Sequence, residues 1–192
     1  MLVVGFATGA FKANCYLLAT AAGRGCVVVD PGEDAAAPVR RALAEHELTP
    51  EVIVATHGHP DHVASAADLV REHDIPMWIH PGDAGLLGFP AEPLTAGERT
   101  FAGLAMTVDP VPGHTSGSVL LRLGTPEGGR LVLTGDTLFA GSIGRGDQEQ
   151  IGEALRDKVL PLPDDTVVLP GHGAATTIER ERAANPFLAV AR

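Results

Sequence analysis

Apolar residues recur along this chain in short runs broken by glycine- and proline-containing turns. Residues 2–7, 15–19 and 26–29 read as strands, and the third stops at the turn sequence Asp30-Pro31-Gly32. Residues 35–47 read as a helix, with Val39, Ala42 and Leu43 at helical spacing. A short buried strand follows at 52–55, a helix at 63–73 and a strand at 77–79. The second half repeats the style. Strands are expected at 104–108, 118–123, 131–134 and 167–169, and helices at 150–159 and 179–184. Two packed sheets with helices outside accommodate this order, and so does a doubly wound sheet; periodicity does not choose between them.

Bulk properties narrow the class. With 192 residues, 45% of them hydrophobic and 20% charged, the chain is expected to be one globular domain over 1–192. No apolar run approaches the roughly 20 residues that cross a bilayer, so no membrane span is expected. The start, MLVVGFATGAFKANCYLL, reads as a strand pair because it lacks a basic leader. A net charge of -10 argues against nucleic acid or an anionic membrane surface as the main partner. Cys15 and Cys26 lie in apolar strand-like runs and read as buried thiols of a reducing, cytoplasmic protein.

The chemistry concentrates in Thr56-His57-Gly58-His59-Pro60-Asp61-His62, directly after an apolar strand. Loops at strand ends hold functional groups on a rigid support. Gly58 permits a tight turn and Pro60 excludes a regular helix through the segment, so His57 and His59 can point one way while Asp61 and His62 reach a neighbouring point. Asp61 is also placed to cap the helix that follows. Imidazole and carboxylate are ligand types that zinc and iron accept. The same plan, an apolar strand, a turn and a ligand, recurs at Pro112-Gly113-His114, at Thr134-Gly135-Asp136 and at Pro170-Gly171-His172-Gly173. His46, His73 and His80 lack this setting and read as solvent-facing.

The order His-x-His-x-Asp-His, then His, Asp and His, resembles the metallo-β-lactamase fold superfamily. It is most similar to short glyoxalase II-type (hydroxyacylglutathione hydrolase) proteins, through 56–62, Gly135-Asp136-Thr137-Leu138-Phe139, the Pro-Gly-His tail, Glu179-Arg180-Glu181-Arg182 and Asn185-Pro186-Phe187. The resemblance implies an α/β (α+β) protein, a four-layer αββα sandwich with metals at one edge between the sheets. It also implies that His57, His59 and His114 hold one divalent ion, that Asp61, His62 and His172 hold a second, and that Asp136 bridges them. Zinc is expected first, with iron or manganese compatible. Asp30 would lie behind the site. The implied activity is hydrolysis of a small-molecule thioester, S-lactoylglutathione or a related acyl-thiol, by a metal-activated hydroxide that Asp61 helps to orient. Arg145 stands where glyoxalase II proteins carry a basic contact to glutathione.

Two departures bear on the substrate. The sequence ends soon after His172, so the C-terminal helical domain that grips glutathione in longer members of the resembled family is not expected here. The tyrosine expected shortly after the basic residue is also absent, with Asp147 nearby. A different thiol carrier is therefore open. Two rivals share the fold. An iron-dependent persulfide dioxygenase would carry Ala-His-Asp in place of Gly171-His172-Gly173, and many β-lactamases bring a cysteine ligand where Asp136 stands.

Overall fold

The computed structural model describes residues 1–189. Its first half builds β1 (Leu2–Thr8), β2 (Ala13–Ala19), β3 (Gly25–Val29), α1 (Ala36–Glu45), β4 (Thr49–Val54), α2 (Pro60–Val63), α3 (Ala66–His73), β5 (Met77–Ile79) and β6 (Glu92–Pro93). The second half builds β7 (Gly97–Phe101), β8 (Leu104–Pro110), β9 (Val119–Gly124), β10 (Arg130–Gly135), β11 (Leu138–Phe139), β12 (Ser142–Ile143), α4 (Gln148–Ala154), β13 (Val167–Pro170), β14 (Thr176–Thr177), α5 (Ile178–Ala184) and α6 (Pro186–Ala189). One sheet runs β1-β2-β3-β4-β5-β6 and the other β14-β13-β10-β9-β8-β7.

Three separate apolar clusters define the layers. Leu18, Val27, Val29 and Val54 of the first sheet meet Met106, Val108, Leu121 and Leu133 of the second. The opposite faces of the same strands, with Leu17, Val28 and Ile53, pack on Val39, Leu43 and Leu69 from α1 and α3. On the far side, Leu120, Val132 and Val168 pack on Ile151, Leu155 and Ile178. Alternate residues of each central strand thus point into different clusters, as a period of two requires. This gives the αββα sandwich. Strands covered on both faces need no polar alternation, so β2 is buried throughout. Cys15 and Cys26 lie in the first helix-covered layer as free, buried thiols. Among the described residues no helix is long and apolar enough to cross a membrane.

Several expectations change. The helix expected over 63–73 is two pieces, and the first begins at Pro60. Proline at the first helical position loses no bond, because that N–H has no intrahelical partner anyway. His59 therefore occupies the N-cap position and Asp61 lies inside the first turn, so Asp61 does not cap the helix. The helix expected over 150–159 starts at Gln148, capped by the Asp147 side chain, and widens into a π-type turn over Leu155–Val159. Strand β7 escaped the pattern because it is a polar edge strand with only Phe101 buried. The two-residue strands β6, β11, β12 and β14 are too short for any periodicity to mark them.

Candidate metal centre

Four chain segments deliver side chains to one edge of the sandwich. They follow β4 (His57, His59, Asp61, His62), β8 (His114), β10 (Asp136) and β13 (His172). All seven predicted residues meet there. Ligand-capable atoms of His57, His59 and His114 lie within 4.8 Å of one another, as do those of His57, His62 and Asp136, and those of Asp61, His62 and His172. His59 Nδ1 is 2.9 Å from His114 Nε2, and His62 Nε2 is 3.3 Å from His172 Nε2. Asp136 lies between the two groups. Its Oδ2 is 3.5 Å from His114 Nε2 and 3.4 Å from His172 Nε2, while Oδ1 is 3.4 Å from His62 Nε2. Asp61 Oδ2 is 3.3 Å from His172 Nε2.

The surrounding hydrogen bonds fix which ring nitrogens are free. Carbonyls can only accept, so His114 Nδ1 donates to the Arg145 carbonyl (2.7 Å) and His172 Nδ1 to the Phe11 carbonyl (3.0 Å). His62 Nδ1 donates to Asp30 Oδ2 (3.0 Å). The Thr56 hydroxyl spends its proton on Asp30 Oδ2 (2.6 Å) and so accepts from His57 Nδ1 (3.2 Å). Each of these four rings then turns its Nε2 inward, the orientation that metal-binding histidines take from such partners. Asp30, buried and at φ 52°, also accepts from the Thr56 N–H. It stands behind His57 and His62, as expected. Two buried polar atoms of the cluster, His57 Nε2 and Asp136 Oδ1, have no hydrogen-bond partner. Buried polar atoms are otherwise nearly always paired. With inward ring nitrogens and two carboxylates, these orphans make the cluster fit a metal site.

Protonation follows the same geometry. Burial, reinforced by the neighbouring His62 and His114, holds His57 well below the usual histidine range. His59 is lowered by burial and then by His114. For His62 burial is the largest single effect and lowers it, but the Asp30 hydrogen bond and the charges of Asp30, Asp136 and Asp61 together outweigh it, and the ring is raised. His172, bonded to Asp136, is pushed up to about 9. Asp136 is lowered, its burial overcome by His172, His62 and His114. Of the five rings, His172 is the one held protonated at neutral pH by this geometry.

Glycines make the approach of the four segments possible. A side chain at Gly171 would collide with Asp136 Oδ1 and with the His62 ring, and one at Gly32 would collide with the Asp61 carbonyl.

Asp83 is a residue that sequence reasoning missed. It is buried, and it accepts from Gly58 N–H (2.8 Å), Gly117 N–H (2.7 Å) and the Thr115 hydroxyl (2.7 Å). One carboxylate thus ties the turn between His57 and His59 to the loop that carries His114. Its place in His80-Pro81-Gly82-Asp83 reads as an ordinary turn, because the partners that bury it come from residues 58 and 115–117. Arg145 is exposed on the rim of a 290 Å³ cavity that it shares with His114, Asp136, Phe139 and His172. His46, His73 and His80 lie away from the cluster and are partly buried, each keeping some exposure to solvent. His80 Nδ1 accepts from Gly82 N–H at 3.2 Å.

The hydroxyacylglutathione hydrolase GloC of Haemophilus influenzae is 33% identical to the chain, over 93% of it and 94% of GloC. The crystal structure of BLEG-1, a B3 metallo-β-lactamase, superposes with a TM-score of 0.88 at 30% identity, covering 97% of this chain and 99% of BLEG-1. That of TTHA1623, in a di-iron-bound form, gives 0.83 at 33% identity, covering 96% and 99%. The family profile described as Metallo-beta-lactamase superfamily matches residues 8–172, and the chain belongs to that superfamily.

Proposed function

We propose that this protein is a metal-dependent hydrolase that cleaves small-molecule thioesters in the manner of glyoxalase II. The observation that carries the reading is the convergence of five imidazoles and two carboxylates, with buried atoms left unpaired, at the mouths of four loops. His57, His59 and His114 would hold one divalent cation, Asp61, His62 and His172 a second, and Asp136 would serve both. When bound, such ions supply Lewis-acid charge at a carbonyl oxygen and lower the pKa of water toward roughly 7. The donor set contains no thiolate, so it suits zinc and also iron or manganese; the di-iron form of TTHA1623 is consistent with that latitude.

The chain's own groups have distinct tasks. Asp30, Thr56 and the Arg145 and Phe11 carbonyls keep the rings in the inward tautomer. Asp61, partly open to solvent, orients the attacking water as well as binding. A thiolate leaves readily, so no strong general acid is required. Arg145 faces the thiol carrier from the cavity rim and attracts an anionic group on it.

The deciding experiment is metal content of the purified protein alongside S-lactoylglutathione hydrolysis. Two equivalents of metal with turnover are expected. A metal-loaded protein silent on all thioesters would overturn the thioester assignment. Asp61→Ala should lose about one equivalent of metal and most turnover; full activity with both metals retained would remove that role. The likeness to BLEG-1 favours β-lactam hydrolysis as a second reading, and a chromogenic β-lactam in the same assay separates the two.

A further inference from the structure

Beside the metal centre lies a cavity of about 790 Å³ that the mechanism above leaves unused. One wall is Ala67 and Val70 of α3, the facing wall is Leu86 and Phe89, and Gly58 and Pro60 close the end. Gly58 and Pro60 alternate along the chain with His57, His59 and Asp61, which face the cluster. The groove and the centre therefore adjoin the same turn, residues 57–61. The groove is apolar by design of its walls. Alanine at 67 leaves room where a larger residue would fill it, and Leu86 stands 57% exposed at the mouth. The cation at the rim, Arg71, is already paired with Asp68, so nothing here anchors a charged head. Exposed apolar surface of this kind marks binding, and a volume of this size suits a small-molecule chain.

We propose that this groove binds an apolar acyl arm of the substrate, so that the enzyme selects thioesters of medium-chain or aromatic acids over those of short polar ones. The inference rests on the thioester reading given above. The carbonyl would sit at the metal centre, the thiol carrier toward Arg145, and the acyl chain over His59 and Pro60 into the groove.

Acetyl, butanoyl and octanoyl thioesters of one thiol provide the test. In the wild type, kcat/KM should rise up to about tenfold for each two methylenes buried. Ala67→Trp, which fills the groove, should reduce the octanoyl-to-acetyl ratio at least tenfold, and so should Leu86→Glu at its exposed mouth. A flat chain-length series in the wild type, or a preference that survives both substitutions, overturns the proposal. If no thioester is hydrolysed, the catalytic reading fails and the groove is read by itself. Titration of the metal-loaded protein with octanoate, followed by isothermal calorimetry, should then show binding that Ala67→Trp abolishes; no binding overturns the groove as a ligand site. Sedimentation of the wild type covers the other occupant, since a dimer that Leu86→Glu dissociates would assign this face to a second copy and overturn the acyl role.

Discussion

Asp83 shows how much one side chain can organise without touching the reaction. Its carboxylate accepts four hydrogen bonds across two loops, and two of the donors are buried backbone N–H groups. Asp83→Ala strands those donors and should cost about 3 kcal/mol of stability. It should also weaken cation binding by His57, His59 and His114 more than by the other group, which chelator competition on the purified variant would read. Equal loss at both positions would reduce Asp83 to general packing. The histidines offer a second test at this scale. In the metal-stripped protein, NMR should find His172 titrating at about 9, while His57 stays neutral well below the ordinary value of about 6.5. The signs for stability are opposite. The His172 contribution is fully present below about 6.5 and is lost as pH rises through 9. His57 resists the proton that the unfolded chain accepts, so its effect is destabilising and grows as pH falls below about 6.5. Titration of both rings together near 6.5 would contradict the arrangement of charges described here.

At the scale of elements, the loop from Leu138 to Arg145 depends on a helix far along the chain. Glu181 of α5 is buried and accepts from Gly141 N–H (2.8 Å), the Thr176 hydroxyl (2.7 Å) and Asn185 Nδ2 (2.8 Å). Asn185 in turn donates to the Ser142 carbonyl at 3.1 Å. The C-terminal residues that read as a family signature are thus the scaffold of the β11–β12 hairpin, and Arg145 follows β12 onto the cavity rim. Glu181→Ala should destabilise the fold by about 3 kcal/mol, since it leaves buried donors unpaired. Hydrogen exchange should quicken over residues 138–145 before it does in β9 or β10. Uniform acceleration would mean that α5 supports the whole sheet instead. These dependencies were not legible in sequence, because a two-residue strand has no periodicity and a buried glutamate in Glu-Arg-Glu-Arg looks like a solvated helix face. The ligand-bearing turns were legible, because each follows a strongly apolar strand whose end had to lie near the sheet edge.

Over the whole molecule, two sheets are joined at one edge by side chains from both. His57, His59, Asp61 and His62 follow a strand of the first sheet, whereas His114, Asp136 and His172 follow strands of the second. A cation held by both groups is therefore also a clamp between layers. At a free metal concentration a thousand times its Kd, one bound ion adds about 4 kcal/mol to folding stability. Chelation should accordingly lower the melting temperature, and readdition of zinc should restore it. An unchanged melting curve after verified metal removal would show that the apolar layer between the sheets holds them without help.

The chain by itself determined the residues of the cluster, the strands that present them and the acidic, thiol-poor character of the protein, because composition and short-range pattern are local properties. It did not determine the choice between a sandwich and a doubly wound sheet on periodicity, since a strand covered on both faces looks alike in either; the resemblance of motifs supplied that. Only the tertiary structure decided that Pro60 starts a helix, that Asp83 and Glu181 are internal anchors, and that a groove opens beside Gly58. Each depends on which distant segment comes to rest against which, and burial of a polar group is tolerated only where that partner arrives.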